Sequence, residues 1–333
     1  MTTAARDAST HPITELGRIV VLGATGLVGR HLVETLAARR ARDVQATYRS
    51  RQPFAASGVA WHQAELLDYG SVAAAVRGAR VVVLCAGKIS TTAELRRDPV
   101  RSIQDSLRIG INALEAAAAA GVDRFVLLSS CTGYPEGVGI KEEADMFKGD
   151  PPAGWFGVGW MHRFLEKQLE WYCARLGRIE AGVALRPTLI YGPYDDFKPE
   201  SGHFVPSFIH RVVARERPIE VWGDGKQTRN LIHAADVASA IVAAFAHDKG
   251  YAAFNVAAPR STGVDEVLST LLELDGFDDA EVVHRLDKAA GASALEVSAL
   301  AFTQRFGWRP ALSLRDGLAD TLQWYRRSTR SAR

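Results

Sequence analysis

Gly23, Gly26 and Gly29 recur at every third residue, behind the apolar run Ile19-Val20-Val21-Leu22 and at the opening of a helix expected near Thr25, marked by Leu27, Val28, Leu32 and Leu36. Glycines so spaced let the backbone turn tightly, approach a phosphate and pack helix against strand. The free N–H groups of the helix's first turn then face a pyrophosphate. Gly23, Thr25, Gly26, Leu27, Val28 and Gly29 are therefore the expected cofactor cradle, in the strand-then-helix context that the motif requires. Further along, Arg49 and Arg51 stand where NAD-preferring proteins place a carboxylate for the ribose hydroxyls. Two guanidinium groups there suit a ribose 2′-phosphate, which favours NADP with NAD as the alternative; the other reading is a solvated loop. His162 has Glu166 one helical turn on, a neighbour that would raise its pKa and make it an acid/base near neutrality. It reads equally as a spacer.

These groups need a scaffold that gathers strand ends. Strands expected over 44–48, 59–64, 81–87 and 124–129 alternate with helices, among them 101–119. That alternation predicts an α/β fold with a doubly wound parallel (Rossmann) sheet. The unbroken run at 81–84 is the pattern of a strand buried on both faces. Ligands of such sheets sit beyond the carboxyl ends of the strands, where Gly23, Arg49, Ala86 and Ser129–Cys131 all fall. Residues 133–159 read as a loop over the pocket, 160–176 as a helix and 181–186 as a strand; the last third mixes short helices and strands. The expected division is a disordered tail over 1–16, a dinucleotide-binding domain over 17–190, and a smaller substrate lobe with returning sheet strands over 191–333.

The chain has 333 residues, 47% of them hydrophobic, ample for a sizeable core, and a net charge of +2 that gives no reason to expect a nucleic-acid partner. Cys85, Cys131 and Cys173 are too few and dispersed for a disulfide framework or a metal site, so a cytoplasmic setting is expected. No signal peptide and no membrane-length apolar run is read in the chain, and no membrane partner is expected.

The order of short motifs resembles the extended short-chain dehydrogenase/reductase family, the nucleotide-sugar epimerases, dehydratases and reductases. The matching pieces are the Gly23–Gly29 turn, Glu65-Leu66-Leu67-Asp68, Leu127-Leu128-Ser129-Ser130 with Tyr134-Pro135, Arg186-Pro187, Tyr191-Gly192-Pro193, and Val221-Trp222-Gly223 running on to Arg229. Phe306-Gly307-Trp308-Arg309-Pro310 and Trp324-Tyr325 complete the series. Several loops are most similar to the GDP-fucose synthase branch: Ala86-Gly87-Lys88-Ile89, Ser129-Ser130-Cys131, and the stretch from Tyr191 to Pro206 with its His203. The resemblance implies that Cys131 and His203 exchange a proton at a carbon beside a ketone, with Ser130 bonded to the substrate oxygen and His162 assisting. Anchoring on Tyr134 instead puts Thr132 at the cysteine position and leaves Cys131 a small buried hydrophobe. Glu65, Leu66, Ala86 and Ser129 are then expected along the cofactor, and Lys88, Thr132, Tyr191, Trp222 and Arg229 along the substrate. Arg229 would hold the diphosphate; its structural alternative is an ion pair with Asp236.

The family's redox signature is a tyrosine and a lysine one helical turn apart. Aligned through Glu166, this chain has Val158 and His162 there, and Leu189 and Ser106 replace two of the family's usual asparagines. The expected function is therefore epimerisation of a nucleotide-linked keto-sugar with bound NAD(P), by a homodimer. The alternatives are an NADPH-dependent keto-sugar reductase with a non-standard proton relay, and a non-catalytic binding protein.

Overall fold

Unbroken apolar runs build the middle of a parallel sheet. The structure, a computed structural model, describes residues 13–87, 98, 100–137, 139–198, 203–288 and 295–330; Lys88 lies outside them. The strands are β1 (Ile19–Leu22), β2 (Val44–Tyr48), β3 (Val59–Gln63), β4 (Val81–Leu84), β5 (Arg124–Leu128), β6 (Ala181–Pro187), β7 (Leu189–Tyr191), β8 (Ile219–Trp222), β9 (Thr228–Arg229), β10 (Leu231–His233), β11 (Gly250–Val256), β12 (Thr262–Gly263) and β13 (Val282–Arg285). Seven of them form one sheet in the order β11-β6-β5-β4-β1-β2-β3, every pairing parallel. Each residue of β1 and β4 is buried, and each such Val, Ile or Leu contributes ~1.5–3 kcal/mol relative to exposure.

The helices are α1 (Leu27–Ala38), α2 (Tyr69–Ala75), α3 (Arg101–Ala119), α4 (Phe156–Glu170), α5 (Phe204–Val213), α6 (Ala234–Ala244), α7 (Val264–Asp275), α8 (Leu300–Phe306) and α9 (Leu314–Arg330). One sheet face is covered by α1, α6 and α8 through Leu32, Leu36, Val237, Ile241 and Phe302. The other is covered by α2, α3 and α4 through Val72, Leu114, Leu165 and Leu169. This is the expected doubly wound α/β arrangement. A third core, with Val205, Ile209, Val221, Leu268 and Leu318, lies among α5, α7, α9 and β8. Because β2 and β4 flank β1, the chain leaves β1 in one direction and returns on its other side, which opens a crevice at the carboxyl ends.

Local boundaries differ from expectation for physical reasons. Helix α1 starts at Leu27, because Gly26 is still extended. At the end of the expected tail, Ile13–Glu15 forms a short turn and Leu16 is buried against the core. Helix α4 starts at Phe156 and ends in a wide turn at Trp171–Arg175. The stretch 133–159 is more than a surface loop, since Tyr134 and Met146 are fully buried in it and cluster with Ala257 and Val297. Strand β11, whose small residues gave no clear strand signal, completes the sheet beside β6. No helix among the described residues is long and apolar enough to cross a membrane.

Candidate active site

The glycine turn follows β1 directly. Gly23 has φ +86°, a conformation open to glycine, and an added Cβ would lie 2.7 Å from that of Ala86 at the end of β4. At Gly29 a Cβ would be driven into the Gly23 carbonyl oxygen, so only glycine lets α1 pack this closely on β1. Gly26 is exposed, and an added Cβ there would meet only the Gly23 oxygen, at 3.4 Å. No side chain caps the first turn of α1, whose N–H groups stay open to an anion. Thr47 locks the turn from behind: its Oγ1 accepts from the Gly23 N–H at 2.9 Å and donates to the Val21 carbonyl at 3.2 Å. Arg51 reaches back to donate to the Thr25 carbonyl at 2.9 Å, and Arg49 is exposed beside it. The residues present thus fit a dinucleotide: an uncapped helix start for the pyrophosphate and two arginines at the ribose end. Glu65 is exposed, while Leu66 is buried in the core with its carbonyl accepting from Asn112, so only its backbone can reach a cofactor.

Beyond β5 the chain turns at Cys131–Gly133, with Ser130 as cap. The Ser130 Oγ accepts from the Thr132 N–H at 3.1 Å and from the Thr132 hydroxyl at 3.0 Å. With its acceptor side filled, its own proton is left to point at a substrate oxygen. A buried ionic network holds both ends of this turn. At one end, Ser129 donates to Glu166 at 2.6 Å, so its hydroxyl is turned away from the expected cofactor contact. At the other, the Tyr134 hydroxyl donates to Asn255 at 2.7 Å and accepts from Arg186 at 3.1 Å. Arg186 and Glu166 form the centre, a bidentate pair at 2.6–3.2 Å with both side chains almost wholly buried. Arginine inside an otherwise apolar strand was the sequence signal for it.

Helix α4 presses on the same turn: a Cβ at Gly159 would come 2.9 Å from the Thr132 carbonyl oxygen. Val158 and His162 flank that contact one turn apart. The His162 Nδ1 is buried and has no hydrogen-bond partner among the described residues. Burial lowers its pKa to about 4 and outweighs the opposing pull of Glu166, so the expected rise is reversed. Glu166 itself is engaged with Arg186 and Ser129. Cys131 packs against the Tyr134 and Met146 cluster, and burial pushes its thiol up to about 12. It is a neutral thiol and a weaker acid than a free cysteine, whose proton only a strongly basic centre such as an enolate carbon would take.

The segment after β6 also leaves the carboxyl edge, so the loop carrying His203 lies on the same side of the sheet as the glycine turn. His203 is the residue before α5, with its Nδ1 3.9 Å from Oδ1 of Asp195, a carboxylate within the same Tyr191–Pro206 stretch to which the sequence alone gives no role. Tyr191 is 2% exposed and edge-on to His233 at 5.3 Å, which makes it a support behind the loop rather than a surface for substrate. Trp222 is half-exposed at the end of β8, with the Lys288 ammonium 5.0 Å from its ring. The half-buried Arg229 donates to the Thr228 carbonyl at 2.7 Å, and burial lowers its pKa. Asp236 accepts instead from the N–H groups of Ala311 and Leu312, at 2.8 and 3.3 Å.

A glycine turn at the switch point of a parallel sheet, with hydroxyl, thiol and imidazole groups beyond its carboxyl edge, defines a dinucleotide-binding α/β enzyme of the extended short-chain dehydrogenase type. The chain belongs to the NAD dependent epimerase/dehydratase family, whose model matches residues 19–257. It is 30% identical over 328 residues to dTDP-4-dehydro-6-deoxy-D-allose reductase from Streptomyces sp., covering 92% of this chain and 96% of that protein. With the probable GDP-L-fucose synthase 1 of Oryza sativa subsp. japonica it shares 27% over 336 residues, covering 95% and 94%. In structure it is similar to the UDP-glucose 4-epimerase of Thermus thermophilus in complex with NAD, with TM-score 0.77, 25% identity and coverage of 93% and 99%.

Proposed function

We propose that this nucleotide-sugar-modifying enzyme inverts a carbon beside the carbonyl of a nucleotide-linked keto-sugar, with NADP held in the glycine turn. What carries the reading is the side chains on α4 next to the Ser130–Thr132 turn: Val158 moves no proton, and His162 is a neutral imidazole. In its reduced form, NADPH, the bound cofactor would supply a hydride to a keto-sugar, but Val158 gives that step no tyrosine hydroxyl. Inversion needs none. His203 takes the proton α to the carbonyl on one face, Ser130 donates a hydrogen bond to the oxygen that gains charge, and the neutral Cys131 thiol gives a proton to the other face. Exchange with water resets both groups. Trp222 and Arg229 are assigned to the nucleotide base and the diphosphate. The relatives' names support nucleotide-linked sugars, with GDP favoured by the loops similar to the GDP-fucose synthases.

The enzyme is further proposed to be a cytoplasmic homodimer. Free thiols at Cys85, Cys131 and Cys173 support the first, and the solvent-facing Phe156, Trp160 and Phe164, at helical spacing on α4, support the second. A reductase reading is favoured by the name of the Streptomyces relative and by the hydrogen-bonded Ser130–Thr132 pair as a relay. One experiment separates the two: a 4-keto nucleotide-sugar is incubated in deuterium oxide with enzyme and NADPH. Deuterium incorporation without NADPH oxidation is expected, and Cys131→Ala or His203→Ala should lower incorporation by about 10²–10⁴-fold with ligand affinity retained. Stoichiometric NADPH oxidation would overturn the non-redox reading.

A further inference from the structure

The loop between β7 and α5 holds a buried carboxylate that the proposed reaction does not yet use. Asp195 has a side chain only 6% exposed. Its Oδ1 accepts the N–H of Asp196 at 2.8 Å, while its Oδ2 is buried with no hydrogen-bond partner among the described residues. His203 Nδ1 is likewise buried and without a partner among them. His203 Nδ1 stands 3.9 Å from Oδ1, which holds the Asp196 N–H and has a second lone pair to offer; the gap is longer than a hydrogen bond and a modest side-chain rotation would close it. A buried carboxylate oxygen and a buried ring nitrogen each cost stability while unpaired, and a bond from the ring N–H to this carboxylate would relieve the nitrogen.

The backbone around Asp195 is built to aim it inward. Tyr194 has φ +72°, an uncommon conformation for a residue with a side chain. It is held there by its hydroxyl's bond to Glu34 at 3.2 Å, by the Arg30 guanidinium 3.7 Å from the ring and by Trp324 at 4.9 Å. Phe197 stacks on Tyr325 at 4.6 Å. Asp195 is thus clamped between two anchored aromatic residues. Such effort at an exposed loop needs a reason beyond closing the chain.

We propose that Asp195 is the positioning residue of His203, accepting its Nδ1–H so that Nε2 is free to take the substrate proton, and balancing the imidazolium that results. Burial raises the Asp195 carboxyl above the ordinary range, His203 opposes this, and Asp196 is a second charged group beside it. The inference rests on His203 as the proton acceptor, but its first test does not.

Nitrogen-15 NMR of the His203 ring reads the tautomer directly in the full chain. The Nδ1–H form is expected in the wild-type protein, with a shift toward Nε2–H in Asp195→Asn. Predominant Nε2–H in the wild type would overturn the pairing whether or not the variant is stable, and so would the same tautomer in both folded proteins. In the deuterium assay Asp195→Asn should lower kcat by about 10²–10⁴-fold with KM unchanged, and Asp195→Glu should recover part of it. An unchanged kcat would also overturn it. Lack of exchange in the wild type would refute the proposed reaction and leave the tautomer to decide the pairing.

Discussion

Glu166 shows how one side chain serves both fold and site. It meets Arg186 and Ser129 at 2.6 Å each in a space closed to water, so the pair is held by geometry rather than by solvent. Removing one partner of a buried pair leaves an uncompensated charge and costs roughly 3–5 kcal/mol. Glu166→Gln is therefore expected to lower Tm strongly in calorimetry and to loosen the Ser129–Tyr134 turn. Two imidazoles with buried ring nitrogens carry a pH dependence. Burial lowers both His162 and His233 to about 4, whereas in the unfolded chain a histidine titrates at about 6.5. Between those values the unfolded state binds more protons, so stability falls as pH drops from about 6.5 toward 4. Tm measured at pH 7 and pH 5 should decline in the wild type and decline less in His162→Leu. The sequence placed His162 on its helix and named its neighbour Glu166. It did not disclose that Arg186, from a distant strand, had already engaged that carboxylate.

The glycine turn divides its labour among positions, and single substitutions separate them. At Gly29 a Cβ collides with the Gly23 carbonyl, so helix and strand must move apart. Overpacking of this kind costs about 1–3 kcal/mol. Gly29→Ala should lower both Tm and dinucleotide affinity. At Gly26 the nearest atom to an added Cβ is 3.4 Å away, and the glycine is exposed toward the cradle. Gly26→Ala should leave Tm nearly unchanged and weaken dinucleotide binding in calorimetric titration. Equal effects of the two on stability would refute this division. This element was legible beforehand because its contacts are local: strand, turn and helix are consecutive in the chain.

At the scale of the molecule, two faces of the sheet are covered and α4 still presents large apolar side chains to solvent. Phe156, Trp160 and Phe164 are 50%, 42% and 46% exposed. The proposed dimer would bury them against a second copy. Light scattering of the wild type should give twice the chain mass, and Phe164→Glu should shift it to the monomer with the helix content unchanged. A monomeric wild type would refute the interface.

The sequence by itself determined the alternation of strands and helices, the glycine cradle and the missing tyrosine and lysine, because period, turn chemistry and short motifs are written in neighbouring residues. Tertiary structure alone decided which of the named groups are available. Ser129 turns to Glu166, Tyr191 is buried, Cys131 is a neutral thiol in an apolar cluster, and Asp195 comes to His203. Availability depends on burial and on partners brought from distant strands, and neither is encoded within a window of the chain.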